Sequence, residues 1–499
     1  MNIAILSNGI NIARIKLEIQ SMYTGFNFRK TDICFVDFYD EQKQKDMVIV
    51  DYNFLDEFWL NSVAFFSKFL LFINGFIFDP YDKSGIEELE KALIDNKQWG
   101  ILRTINKVKI HLNVLHRKLV LDTKPRYLQL EITNFCNAKC IMCPHVYLGN
   151  DGAKHLNKDT FLHLEEILPY IEVAVLHGNG EPFLNPNFEE YLDIYRKYGI
   201  AISACTNLSV FNAKIAKIVD TCFDDIRVSC DACTKDKYEK IRTGLSFERF
   251  MENLEILYAY CHNVKKIMTF VIMRQNINQI ATMVEFAAKY GFEEIIYSNM
   301  SPSIALGNEN DAPSHYKKAV KYQLDIAKEK AKARGIRVVY PNIYDTIIED
   351  GSIFVDESFR SDSDWELQVG LIQKAFKGKK RPIEELSEHL WKDESVDCIG
   401  ICDWLVEKTY IDIDGNVFLC CINSSYRIGN INEQSFLSIW NSKIIRDLRE
   451  YFYTGHIPNF CHGCQFILNG SLNNLKCATP NEAFMKRKIY YEINEAKNG

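Results

Sequence analysis

Between residues 125 and 340, short apolar runs alternate with longer stretches whose apolar positions recur every three or four residues. Runs near Tyr127–Ile132, Val173–Leu176, Ala201–Cys205, Asp225–Ser229, Lys266–Ile272, Glu294–Tyr297 and Arg337–Val339 read as strands. The first is typical, with Tyr127, Gln129 and Glu131 on one face and Leu128, Leu130 and Ile132 on the other. Between them, Lys158–Tyr170, Phe188–Tyr198, Ala213–Thr221, Phe247–Tyr260, Ile277–Tyr290 and Tyr316–Arg334 read as helices. Regular alternation of this kind predicts parallel strands joined by right-handed crossovers. Reactive groups then gather at the carboxyl ends of the strands.

The flanking blocks follow other patterns. Residues 1–120 predict a small N-terminal α/β domain, with strands Ile3–Leu6, Ile33–Val36, Met47–Val50 and Leu70–Ile73 and helices Ile12–Met22 and Ile86–Asp95. It has no G-x-G-x-x-G, and substrate docking, scaffolding and plain stability are all open as its role. The apolar stretch Phe58–Phe78 is interrupted by Asn61, Ser62, Lys68, Asn74 and Gly75. It reads as a buried helix followed by a strand, because a membrane span needs about 20 residues nearly free of charge. Residues 341–397 are rich in charge and predict a linker or a cap, with disorder as the alternative. Residues 398–480 form a cysteine-rich block around a hairpin turn at Asp414-Gly415, and 481–499 a tail.

Composition narrows the class. A chain of 499 residues has room for two to four domains. Its formal net charge of −7 supplies no positive field for nucleic acid. Without a basic start or a long apolar run at Met1–Ser7, the expected compartment is the cytoplasm. The 16 cysteines are densest at 136–143, 398–421 and 461–477, a grouping that suits metal ligation better than a secreted disulfide framework.

The first group is Cys136, Cys140 and Cys143, in a loop that follows the first strand. A cubane iron–sulfur cluster is normally held by four thiolates, so three thiolates hold three irons and leave one open. A zinc knot or scattered structural thiols is the alternative. His177-Gly178-Asn179-Gly180-Glu181-Pro182 follows the second strand, and its glycines permit close backbone approach to a ligand. Thr206-Asn207 ends the third strand and Ser229-Cys230-Asp231 the fourth. Arg242, in Tyr238-Glu239-Lys240-Ile241-Arg242-Thr243-Gly244, is either a carboxylate partner or a solvated helix-end residue. Arg274 and Asn276 read as polar lining after the fifth strand, while Cys205, Cys222, Cys230, Cys233 and Cys261 read as packing. In the last block, Cys402 precedes the hairpin, Cys420 lies at its far end, and Cys461 and Cys464 form a C-x-x-C loop. These four thiolates make a complete site for a cluster or for zinc, with Cys398 and Cys421 as substitutes.

The C-x3-C-x2-C loop and the strand-end motifs resemble the radical S-adenosylmethionine (SAM) superfamily. The C-terminal block is similar to its SPASM/twitch extension in the hairpin, Gly429-Asn430-Ile431, Ile439-Trp440-Asn441 and the closing C-x-x-C. The likeness covers 125–340 and 398–470 and implies a partial (β/α)6 TIM-like barrel with that extension. It also implies a [4Fe-4S] cluster on Cys136, Cys140 and Cys143 whose open iron chelates SAM. Gly178, Gly180, Glu181, Pro182, Thr206, Asn207, Ser229, Asp231 and Arg242 are its implied SAM-site residues. Three departures stand out: Asn179 replaces the first glycine of G-G-E-P, Thr243 is inserted before Gly244, and Met142 occupies an often aromatic position. The shorter twitch form implies one auxiliary [4Fe-4S] cluster on Cys402, Cys420, Cys461 and Cys464, near the barrel mouth. The expected activity is an oxidation begun by a 5′-deoxyadenosyl radical, on a sugar or cyclitol, with flavodoxin or ferredoxin as electron donor. A maturase acting on a ribosomally made peptide is the second reading, and a non-catalytic metal scaffold the third.

Overall fold

The computed structural model describes residues 83–143, 145, 152–300, 308–341, 400–421, 426–454 and 461. It also describes the backbone of the strands Ile3–Ser7, Ile33–Asp37, Tyr39–Asp40, Lys45–Ile49, Leu70–Ile73, Phe76–Phe78, Arg381–Pro382 and Leu472–Asn474. The expected helix Ile12–Met22, the helical part of Phe58–Phe78, nearly all of 341–397, the 481–499 tail, Cys398 and Cys464 lie outside these residues.

Seven parallel strands stand side by side in chain order: β1 (Tyr127–Leu130), β2 (Val173–Leu176), β3 (Ala201–Thr206), β4 (Asp225–Ser229), β5 (Lys265–Ile272), β6 (Glu294–Asn299) and β7 (Arg337–Val339). Sequential parallel order with helices between is what the alternating pattern demands, and it curls into an open barrel. Burial follows the pleat. In β4, Ile226 and Val228 are buried beneath the helices, whereas Asp225, Arg227 and Ser229 face the interior and stay partly open. Register sets Gln129 beside Val175, Val175 beside Ser203, and Ser203 beside Asp225, and it sets Cys205 beside Arg227.

The crossovers depart from the sequence reading where local chemistry breaks a helix. Lys158–Tyr170 is not one helix: after Lys158–Leu162 it continues as two 3-10 turns, His163–Glu166 and Leu168–Tyr170. Pro169 has no N–H for an α ladder. Asn212 and Ser246 cap the helices Ala213–Cys222 and Phe247–Tyr260. Gly335, at φ +67°, ends Lys317–Arg334. The helix Trp99–Leu115, which the pattern did not reveal, buries Ile110 and Val114 in the barrel core. Its Arg103 donates to the carbonyls of Tyr198 and Gly199.

The C-terminal block adds strands to the same sheet. β8 (Lys408–Ile411) runs parallel to β1, with Lys408 beside Tyr127 and Ile411 beside Leu130. β9 (Asn416–Phe418) returns antiparallel through Gly415, at φ +77°, and β10 (Tyr426–Asn430) pairs with β9. Asn441 grips the main chain of Leu121 at both N–H and carbonyl, each at 2.8 Å. The fully buried Arg449 donates to the carbonyls of Leu119, Leu405 and Trp440. Arg126 bridges Glu172 (2.7 Å) and Glu407 (2.9 Å). The N-terminal strands form a separate mixed sheet, ordered Ile33–Asp37, Ile3–Ser7, Lys45–Ile49, Leu70–Ile73, Phe76–Phe78. Among the described residues, no helix is long and apolar enough to cross a membrane.

Candidate active site

The cysteine loop leaves the carboxyl end of β1 and lies across the Ile241–Gly244 segment. Lys139 N–H donates to the Thr243 carbonyl at 2.7 Å and Ile141 N–H to the Ile241 carbonyl at 3.0 Å. Gly244, at φ +91°, holds its Cα where a side chain would press on the Asn137 carbonyl. Within the loop, Cys143 N–H donates to the Cys140 carbonyl. Burial pushes the Cys136 thiol up to about 12 and that of Cys140 to about 11, and raises Cys143. Thiols held so high ionise when a metal binds them. The donor set fits the expected cluster: three thiols on one loop, close enough that Cys140 and Cys143 both raise Cys136 and Cys143 raises Cys140. Among the described residues no three ligand-type side chains close on a single ion, as expected where each thiolate takes a different iron.

Arg242 does not present its charge to the open mouth. Its side chain is 8% exposed and that of Asp231 0%, and Arg242 Nη2 meets Asp231 Oδ2 at 2.6 Å. Nη1 lies 3.9 Å from Cys140 Sγ. Two residues expected at the SAM head group are thus turned toward each other, and the cation stands behind a cluster ligand.

The His177–Pro182 turn packs directly on the cysteine loop. A Cβ on Gly180 would come within 2.3 Å of the Thr133 carbonyl, and one on Gly178 within 2.4 Å of Glu131 Cγ, so both positions require glycine. Glu181 is consumed internally: Oε1 accepts from Thr206 Oγ1 and Oε2 from Asn207 N–H, both at 2.7 Å. Burial pushes its carboxyl up to about 7 against those donors. Pro182 starts a short 3-10 turn, Pro182–Leu184. Thr206 and Asn207 therefore tie β3 to the turn, and Asn207 reaches Asn137 at 3.1 Å. Ser229 stays partly open on the interior face, accepting from Thr269 Oγ1. Asn276 is buried and donates to the Asp231 and Val271 carbonyls, and Arg274 pairs with Asp311. Neither works as barrel lining.

Sequence reasoning missed the use of four residues. Glu131, buried at the end of β1, accepts from Asn179 N–H at 2.6 Å and positions the turn. Its only signal was its place on the polar face of the first strand. Cys205, read as packing, and Arg227 face the barrel interior. His177 is open to the same space yet surrounded by protein; that burial, with Arg227 nearby, pushes its imidazole down to about 4 and keeps it neutral.

Cys402, Cys420 and Cys421 gather with Trp404, Tyr410, Phe418 and Tyr127. Cys402 precedes β8 and Cys420 follows the antiparallel β9, so the group lies at the amino ends of the barrel strands. This corrects the expected place near the mouth. The hairpin runs up to its turn and back, returning its far end to the level of Tyr127. Cys461 packs against the main core.

A parallel barrel with a three-thiol loop after its first strand, and a second thiol group on added strands, defines a class of iron–sulfur proteins. The Radical SAM superfamily matches residues 130–287, and the SPASM iron–sulfur cluster-binding domain matches 402–465. Over these two segments the chain carries a match to a radical SAM domain followed by a match to a SPASM domain. The first domain implies a [4Fe-4S] cluster with SAM, and the second implies auxiliary iron–sulfur clusters. The chain is 27% identical to the mycofactocin maturase MftC of Mycobacterium tuberculosis over 172 residues, 34% of this chain and 43% of that one. It is 21% identical to the AdoMet-dependent heme synthase of Methanosarcina barkeri over 340 residues, 66% and 87%. Streptococcus suis SuiB bound to the precursor peptide SuiA overlays with a TM-score of 0.47 at 13% identity, over 69% of this chain and 70% of that one. The chain spans less than half the length of the mycofactocin maturases it matches.

Proposed function

We propose that this chain is a radical SAM enzyme that takes a hydrogen atom from a peptide substrate held in the barrel interior, and that it works as a maturase. The observation that carries the reading is the three-thiol loop seated on Ile241–Gly244 with the Gly180-Glu181-Pro182 turn pressed against it. When bound, the cluster on Cys136, Cys140 and Cys143 would supply the electron for reductive cleavage of SAM, and the auxiliary cluster would accept one electron from the substrate. The chain's own residues hold and orient. Arg242 offsets the negative charge that collects at Cys140. Glu131 and Glu181 fix the turn, so that its backbone is free for the SAM amine. Ser229, partly open on the interior face, would supply a hydroxyl to hold SAM. The walls of β1–β6 exclude water from a reactive radical. Maturases among the relatives favour a peptide; none of the relatives described above favours the sugar or cyclitol expected from sequence.

Anaerobically reconstituted protein should bind about eight irons, two cubanes' worth, and release 5′-deoxyadenosine with dithionite and SAM. Cys140→Ala should abolish release and keep roughly half the iron, since the SPASM thiols remain. Undiminished release by that variant would sink the assignment. Cys464→Ala, checked for folding by circular dichroism, should retain SAM cleavage but lose the oxidised product. Normal product from a well-folded variant would make the auxiliary site structural.

A further inference from the structure

The interior face of β4 carries a charge that the proposed SAM site does not use. Arg227 lies on that face with Asp225 and Ser229, while Ile226 and Val228 pack outward. Its side chain is 28% exposed, and its Nε donates to Asp225 Oδ1 at 3.0 Å. Asp225 is held in turn by Ser203 Oγ at 2.5 Å. Among the described residues, the two Nη groups have no partner. Register sets Arg227 beside Cys205 on one strand and Ile267 on the other. His177, two residues beyond Val175, extends the same row and is neutral. Tyr127 lies within electrostatic reach of both Arg227 and the auxiliary Cys421. Arg227 thus stands in the interior between the SAM-side loop at one end of the strands and the SPASM thiols at the other.

We infer that Arg227 is the residue that seats the substrate, taking a substrate carboxylate on its open Nη edge. The argument is geometric. Asp225 fixes the guanidinium plane through Nε, which leaves two parallel N–H donors spaced for the two oxygens of one carboxylate. Asp225 also offsets one charge already, so a phosphate dianion would bring two negative charges to a cation with little left to give. A neutral amide oxygen would engage one donor and strand the other. For a peptide substrate, the carboxylate is that of an acidic side chain or of the chain terminus. The inference rests on the maturase reading for its substrate, but the seat itself is testable without any turnover.

The test uses the reconstituted holoprotein and arginine-specific labelling with phenylglyoxal, followed residue by residue with peptide mass spectrometry at fixed ionic strength. Arg227 should label in the native protein. Millimolar succinate should slow that labelling by at least about threefold, whereas succinamide, its neutral isostere, should not. Three results overturn the inference: no labelling of native Arg227, equal protection by succinamide, or protection by inorganic phosphate without protection by succinate. Release of 5′-deoxyadenosine is assayed on the same preparation. A preparation that never cleaves SAM defeats the functional reading while leaving the footprint intact, so the two failures remain distinguishable.

Discussion

Arg242 and Asp231 form a buried pair whose partners cannot be removed singly without cost. Arg242→Gln removes the charge partner of the fully buried Asp231 carboxylate, leaving it only the Val271 N–H, and should destabilise the protein by about 3–5 kcal/mol. Urea unfolding under anaerobic conditions measures it. Iron content should fall with it, because Cys140 loses its neighbouring cation. Lys107 gives a second prediction, far from either thiol group. Burial first, then the nearby charge of Arg126, pushes its amine down to about 8, against the opposing pull of Glu172 and Glu407. Between that value and the ordinary 10.5, the unfolded chain binds the proton more tightly than the folded one. Stability should therefore rise with pH across that window, and the gain is lost progressively as pH falls from 10.5 and is gone by about 8. The effect is at most about 3.5 kcal/mol. Lys107→Met should flatten the slope and be the more stable protein at pH near 7.5, read from urea midpoints at both ends of the window. A parallel slope in wild type and variant would assign it elsewhere.

At the scale of elements, the short helix Phe436–Trp440 and the Asn441 that ends it act as a clasp. Asn441 satisfies both main-chain groups of Leu121, so Asn441→Ala strands a buried donor and acceptor and should cost about 2–4 kcal/mol. Limited proteolysis should then cut the 400–454 block before the barrel. The barrel strands were legible because each is a short apolar run between longer helical patterns, and β2, β4 and β7 end where the pattern ends. The cysteine spacing announced its own chemistry. The use of Glu181, Asp231 and Arg242 was hidden, because sequence reveals a charged residue but not whether another charge in the fold has already claimed it. The position of the SPASM thiols was hidden for a similar reason. A hairpin can be read from Asp414-Gly415, but which barrel strand it joins, and in which direction, depends on pairing across the whole chain.

Across the molecule, β8 to β10 and β1 to β7 form one hydrogen-bonded sheet, which carries the SPASM thiols and the SAM-side loop at opposite ends of its strands. The separation of the two groups is therefore set by strand length, at about 3.3 Å per residue, and not by a hinge. A chain ending at residue 399 would leave the β1 edge bare, and unpaired edges recruit other chains. That truncation should be aggregated where the full chain is monodisperse by size-exclusion chromatography. A soluble, SAM-cleaving truncation would show that β8 is dispensable.

The pairing of β1 with β8 also imposes a schedule on synthesis. Arg126 and Glu407, at the lower end of those two strands, are 281 residues apart. A ribosome adding about 5–20 residues each second needs roughly 15–60 s to deliver the second after the first. For that interval the strand that leads into Cys136, Cys140 and Cys143 has at most one neighbour instead of two. The nascent chain must be kept from premature pairing, and cluster loading has its natural moment after residue 411 has emerged.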